Sequence, residues 1–318
     1  MESSHKILSI IKTIHITLVP KSLQNMQEEQ ARNEAGREIV EDGKKVAEHK
    51  EMKTAVIIRG GGCQGAVVLD LLMQLSYHRV ADDANSSRDK DYYVWDDGED
   101  DQLHPLFAKV TRLRVDSHDY QSTLQEYKVL EFFIAVGSGT TRQNLVASAR
   151  QIFESDHYLI FPSLIHPAAN VSPTAIIGEG CFVGSFATIN TCADIGSFVL
   201  VNTSTIVEHD CIVKDYVTLN TASTLLGSVT VASFTTVGSH ATIRDNCSVF
   251  ASHTTIGMGA MVVSDINPPT VNGFWAGVPA KPVFQPGSSS KKCLHSSGHS
   301  IRWCYKKPMS SQRILQYL

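Results

Sequence analysis

The chain of 318 residues and 34.8 kDa has room for about two domains with full cores, so neither a disulfide framework nor a structural metal is required. Its 28 Lys and Arg against 32 Asp and Glu leave a net charge of −4, which excludes a global basic field for nucleic acid or an anionic membrane. Hydrophobic content is an ordinary 42%, yet only 19% of residues are charged against roughly 25% in ordinary soluble domains, so small neutral residues replace charge somewhere.

The amino end carries an apolar run at 6–19, interrupted by Lys12 and His15 and too short to span a bilayer. Residues 27–53 hold 14 charges in 27 positions, so 1–51 is expected to be a charged, disordered extension. The other end, 285–318, has six Lys or Arg, no acid and many serines, and reads as a second disordered appendage. Within it Cys293, His295, His299 and Cys304 have a loose metal-like spacing that lacks a second scaffold element, and no metal site is assigned. Seven scattered cysteines, an odd number without framework spacing, point to a reduced cytoplasmic protein.

A first domain is placed at 52–160. Thr54–Ile58 has the pattern of a buried strand and runs into Gly60-Gly-Gly-Cys-Gln-Gly65, followed by an apolar helical stretch from Ala66 to Leu75. Strand, glycine turn and helix are the context in which such glycines have meaning. Gly60 permits the tight turn, Gly62 lets backbone approach a phosphate, and the helix start offers free N–H groups. A glycine turn that merely packs helix on strand is the plainer alternative. A second strand, Tyr92–Trp95, ends in Asp96 and Asp97, where a ribose or sugar would be met, although nine acids between 82 and 101 also fit a solvated loop. A third, Phe132–Val136, enters Gly137-Ser-Gly-Thr-Thr-Arg142 and another helix. The result is a small Rossmann-like parallel sheet, too small for a complete dinucleotide fold, with ligand groups at its carboxyl edge.

The second domain, 161–284, announces itself by period. Fifteen rungs at a spacing of six, from Ile165 through Val207 to Val249, are all Ile, Val or Leu, and a small or modest residue stands two positions before each. Neither strand nor helix has this period; a parallel β-helix does, with three hexapeptides per triangular coil and coils stacked at roughly 4.8 Å. Cys181, Cys211 and Cys247 fall in register as core fillers. The next rungs, Ile256 and Val262, show one residue inserted between Phe250 and Thr255.

Only eight of the 93 residues from 165 to 257 are charged, yet Glu208 and Asp210 flank His209, two positions past a rung and hence at a coil corner. A histidine beside a carboxylate suits a general base; a solvated corner histidine without a role is the alternative. Gly227 lies 18 positions on, directly across the coil gap, and leaves room for the ring.

Residues 54–284 resemble the sialic acid O-acetyltransferase and nucleotide amino-sugar N-acetyltransferase family (NeuD/PglD type) of hexapeptide acyltransferases. The stretches that carry the likeness are AVIIRGGGCQGAVVLDLL, IAVGSGTTR, IHPAANVSPTAIIGEG, VNTSTIVEHDCIV and AGVPAKPV. The resemblance implies a left-handed β-helix, a homotrimer with active sites between subunits, acetyl-CoA as co-substrate in the groove between β-helices, and a nucleotide-sugar or sugar acceptor on the first domain. It further implies His209 as catalytic base with Asp210 supporting it, and Gly227, Ser239 and Gly257 along the acetyl-CoA groove. Gly62, Cys63, Gln64, Asp96, Asp97 and Gly137 fall on acceptor positions, and Asn202 and Thr203 on a structural Asn-Thr pair. Three departures stand out: Thr218 where the family often has a second histidine, Gln64 where its glycine loop has a histidine or aromatic, and the insertion after Phe250, which is expected to shift the groove near Gly257.

The expected activity is therefore transfer of an acetyl group from acetyl-CoA to an amino or hydroxyl group of a sugar. A degenerate scaffold that binds nucleotide sugar without turnover is the second reading. The trimeric zinc carbonic anhydrases share the coil, but the separations of His209, His240 and His253 do not match their ligand spacing.

Overall fold

The computed structural model describes residues 53–82, 90–96, 103–114, 119–267 and 273–284, all within the unit Met1–Pro286. The two expected appendages, Asp97 and the Cys293–Cys304 cluster lie outside the described residues.

The first part of the chain builds one parallel sheet. β1 (Thr54–Arg59) is central because Ala55, Val56, Ile57 and Ile58 are apolar on both faces, as a strand covered from both sides requires. It pairs in parallel with β2 (Lys90–Trp95) on one edge and β4 (Val129–Ile134) on the other, and β3 (Thr111–Leu113) and β5 (Tyr158–Ile160) complete the order β3-β2-β1-β4-β5. Helix α1 (Cys63–Asp82) packs Ala66, Val68, Leu69 and Leu72 with Val56 and Ile58. After the short α2 (Asp119–Leu124), helix α3 (Gly139–Phe153) packs Val146, Ala149 and Phe153 with Ala55 and Ile57. Helices after β1 and β4 thus cover opposite faces, and the strand order reverses between these two strands, the switch point at whose carboxyl ends open α/β sheets place a ligand crevice.

The expected strands and helix are present with different limits. The helix extends past Leu75 to Asp82, and β4 starts at Val129 and ends before Ala135. Ala135 and Val136 already belong to the turn, although the Ala135 N–H still donates to the Arg59 carbonyl at 2.9 Å. β3 and β5 were not expected; three residues each are too few to show a period.

From Leu164 the chain winds a left-handed β-helix of two-residue strands. Three parallel ladders form its faces. The first face includes Phe182–Val183, Leu200–Val201, Thr218–Leu219 and Thr236–Val237; the second includes Thr188–Ile189, Ile206–Val207 and Thr224–Leu225; the third includes Asp194–Ile195, Ile212–Val213 and Thr230–Val231. The rung residues and the small residues two positions earlier fill one continuous core, Cys181, Cys211 and Cys247 among them.

Every corner from Phe186 to Asn246 turns on a non-glycine residue with φ near +57°, three positions past its rung, and His253, after the insertion, does so four past Val249. A left-handed residue costs roughly 1–2 kcal/mol. A repeated hydrogen bond to the coil below offsets that cost: Asp210 N–H donates to Thr191 O at 3.1 Å, and Ser228 N–H to His209 O at 2.9 Å. At the corner between the third and first faces these positions carry Phe198, Tyr216, Phe234 and His253, whose rings stack with centroids 5.3, 5.2 and 4.5 Å apart. Stacking adds contact that a bare corner lacks.

The α/β part sits on the first face. Its outward residues Leu164, Phe182, Leu200 and Thr218, one per coil, are all buried, and the first three join the core beneath α1. The one-residue insertion after Phe250 falls at the aromatic corner, where His253 keeps its place above Phe234. It is therefore one corner removed from Gly257, and the expected displacement there is corrected: Gly257 stacks over Gly238 in register, donating its N–H to Trp275 O at 2.7 Å.

Candidate active site

His209 stands at the corner between the second and third faces, just past the strand Ile206–Val207. Its Nδ1 lies 2.8 Å from Asp210 Oδ2, and both side chains are about 60% exposed. Asp210 occupies the left-handed corner position, φ 57°, a conformation that Asp tolerates better than most residues. With Nδ1–H donating to the carboxylate, Nε2 is the nitrogen left with a lone pair toward solvent. The second acid of the sequence triplet does something else. Glu208 Oε2 accepts from Asn190 Nδ2 at 2.7 Å, one coil down, so only Asp210 addresses the ring.

Gly227 is the next residue up this corner. A Cβ built there would lie 2.6 Å from both Cε1 and Nε2 of His209, so the ring is accommodated only because the residue is glycine. The Gly227 carbonyl accepts from Asn246 N–H at 2.9 Å, whereas its own N–H makes no hydrogen bond among the described residues. Ser239 and Gly257 are elsewhere. They sit at the corner between the first and second faces, where Ser239 O accepts from Gly259 N–H. One chain therefore brings His209, Asp210 and Gly227 together and leaves Ser239 and Gly257 at a different edge of the triangle.

The remaining candidates gather at the carboxyl edge of the sheet. Gly60, φ +117°, makes the turn after β1, where a side chain would meet Ala135 O at 2.8 Å. Gly62 and Cys63 are exposed at the start of α1, and a Cβ on Gly62 would meet nothing within 4 Å. Gln64 Nε2 is buried without a hydrogen-bond partner among the described residues. Asp96 is present at the edge, but its carboxylate is occupied: Oδ2 accepts from Gly61 N–H at 2.5 Å, and Oδ1 lies 3.6 Å from Arg112 Nη2. It fastens the glycine turn to the end of β2. Gly137 is exposed after β4, and its carbonyl faces the β-helix.

Three residues not singled out as site candidates belong to this region. His104 donates its N–H to Gly61 O at 2.8 Å and accepts at Nδ1 from Leu106 N–H, so its ring proton is on Nε2 at the crevice edge. Arg142 is fully buried and donates to the carbonyls of Val136, Gly137, Phe198, Tyr216 and Val217 at 2.8–3.0 Å. Burial pushes its guanidinium down to about 10, so it is still charged at neutral pH. Thr218, noted as a departure where the resemblance looks for a second histidine, is buried against the α/β part, donating to Gly137 O at 2.8 Å. An arginine in a short polar turn and a threonine on an outward rung position both read as solvated until the two parts of the chain are docked.

The core cysteines Cys181 and Cys211 are unsuited to carry an acyl group. Cys181 is buried and its thiol is pushed up to about 12 by desolvation; burial likewise raises that of Cys211. His209, His240 and His253 occupy three different corners. Among the described residues no group of three or more His, Cys, Asp or Glu side chains could hold a metal ion.

No family model matches the chain. Solved structures do. The acetyltransferase domain of PglB from Neisseria gonorrhoeae, also solved in complex with acetyl coenzyme A, is 26% identical over 73% of this chain and 100% of its own, with TM-scores of 0.57 and 0.58 in the two structures. Perosamine N-acetyltransferase from Caulobacter crescentus, in complex with CoA and GDP-perosamine, is 28% identical over 72% of this chain and 96% of its own, with a TM-score of 0.57. WeeI from Acinetobacter baumannii AYE, 19% identical over 72% of this chain and 100% of its own, shares the fold with a TM-score of 0.58. These neighbours bear out both the family resemblance and the fold class.

Proposed function

We propose that the chain is an acetyl-CoA-dependent sugar acetyltransferase whose acceptor is a nucleotide-linked amino sugar or a related sugar. The observation that carries the reading is the corner triad: a histidine oriented by a neighbouring acid, with a glycine against its ring whose N–H makes no hydrogen bond among the described residues. The named activities and ligands of the neighbours support the same chemistry, and two of the perosamine N-acetyltransferase complexes are of variants with one histidine replaced by Asn or Ala.

In this reading Asp210 holds His209 with Nδ1 protonated, and Nε2 removes a proton as the acceptor amine or hydroxyl attacks the acetyl carbon. The Gly227 N–H donates to the oxygen on which negative charge develops. The carbon–sulfur bond breaks, and His209 returns its proton to the leaving thiolate, so the residue ends as it began. The acetyl group is supplied by acetyl-CoA as co-substrate, and no metal takes part. The acceptor lies at the sheet edge beside Gly62, Cys63, Gln64 and Gly137, with Asp96 holding the glycine turn in shape.

Ser239 and Gly257 supply the other wall of the acetyl-CoA groove. Because they stand at a different corner from His209, the groove is closed only between copies, which supports a homotrimer with its sites at the interfaces. Cytoplasmic location belongs to this reading, supported by free cysteines at Cys63, Cys181, Cys192, Cys211 and Cys247. Among the described residues no helix is long and apolar enough to cross a membrane. The test is to incubate the protein with acetyl-CoA and a panel of nucleotide-linked amino sugars and sialic acids and follow free thiol. Acceptor-dependent thiol release is expected; none with any acceptor contradicts the reading and favours a binding scaffold.

A further inference from the structure

We propose that Thr218 and Arg142 form a latch by which the β-helix positions the Gly137 turn, and that acceptor binding depends on it. The inference rests on the acetyl-transfer reading but concerns residues that take no part in the chemistry.

Three polar groups close a triangle. Arg142 Nη1 donates to Gly137 O at 2.8 Å and to Thr218 Oγ1 at 3.0 Å, while the Thr218 hydroxyl donates to the same Gly137 O at 2.8 Å. Two of these residues belong to the turn and first helical turn after β4; the third is an outward rung position on the first face. The rest of the guanidinium reaches Phe198, Tyr216 and Val217 carbonyls on the β-helix. Among the described residues no carboxylate accepts from it, so the charge is held by dipoles that keep it only while both parts remain in contact. A second, independent feature fixes the same spot: a Cβ on Gly139 would fall 2.3 Å from Tyr216 O, so the start of α3 lies directly on β-helix backbone.

The arrangement leaves the other side of the turn open. Gly137 and Ser138 are exposed, and nothing lies within 4 Å of a Cβ on Gly137. Across the crevice, β1 neighbours β4 in the sheet, so the glycine turn after β1 is the facing wall. One wall is thus held by the α/β part itself, through Asp96, and the other by the β-helix, through Thr218 and Arg142. Loss of the latch lets the Gly137 wall move without disturbing the His209 corner, which lies between the second and third faces.

The test uses the full chain with Thr218→Val, which keeps shape and the ladder hydrogen bond of the Thr218 N–H to Thr235 O but removes the hydroxyl. Loss of the two buried hydrogen bonds of this hydroxyl, with Arg142 still holding Gly137 O, predicts an acceptor KM raised roughly 3- to 10-fold. The KM for acetyl-CoA and kcat at saturating acceptor stay unchanged, and amide exchange at 138–142 quickens. Thr218→Ser restores both readouts. An unchanged acceptor KM, or an equal rise in the acetyl-CoA KM, overturns the proposal. If the wild-type protein turns over no acceptor, the acetyl-transfer reading fails, and unchanged exchange at 138–142 then overturns the latch on its own.

Discussion

A Cβ at Gly227 would lie 2.6 Å from the Nε2 of His209, a nitrogen one coil below it. The imidazole edge occupies the space that a side chain at 227 would take. Gly227→Ala is expected to turn an exposed side chain aside rather than strain the coil, since the contact is with a ring about 60% exposed and not with backbone. Thermal stability should change by less than about 1 kcal/mol, while a displaced base lowers kcat/KM about 100-fold. Steady-state kinetics beside a melting curve separates the two.

Asp210 contributes charge and direction to the same ring. Asn accepts the left-handed corner conformation as readily as Asp, so Asp210→Asn keeps the fold and tests the carboxylate alone. The expected loss in kcat is roughly 10- to 1,000-fold with little change in either KM. A variant as active as the wild type would show that the ring needs no acid beside it.

Arg142 joins the sheet and the β-helix with no counter-ion among the described residues. Arg142→Met removes the charge but strands five carbonyls that now receive its donors, at a cost of about 3–5 kcal/mol. Chemical denaturation measures it. Because the guanidinium stays charged below about 10, the loss should be the same at pH 6 and pH 8.

Alkaline pH acts through the core thiols. The Cys181 thiol begins to ionise near 9 when unfolded but only near 12 when folded. Above pH 9 the unfolded chain therefore holds fewer protons, and stability falls as pH rises from about 9 toward 12. Burial raises Cys211 and Tyr216 in the same direction. The fall should begin near pH 9 and be smaller in Cys181→Ala. A thiol reagent at pH 8 should label Cys63 and Cys192, which are exposed, and spare Cys181 in the folded protein.

The β-helix was legible because its core repeats in sequence: each aliphatic rung meets the same axis six residues later, and the small residues before it fit the same narrow interior. The missing charge has its address there too, and it made His209 and Asp210 conspicuous. What could not be read is contact between the two parts. Leu164, Phe182, Leu200 and Thr218 are 18 apart on an outward face, a separation that marks a column but does not say what covers it. Likewise Phe198, Tyr216 and Phe234 occupy a corner conformation that bulky residues rarely take, held by the corner hydrogen bond and by stacking across coils that a single hexapeptide does not announce. Asp96 reads as a ligand from its place at a strand end, yet its carboxylate is spent on the glycine turn.

The most direct test of the account compares His209→Ala with the wild-type protein for acceptor-dependent thiol release at saturating acetyl-CoA. A loss of roughly 100- to 10,000-fold in kcat, with acetyl-CoA affinity retained, is the predicted result. Turnover equal to that of the wild type would contradict it.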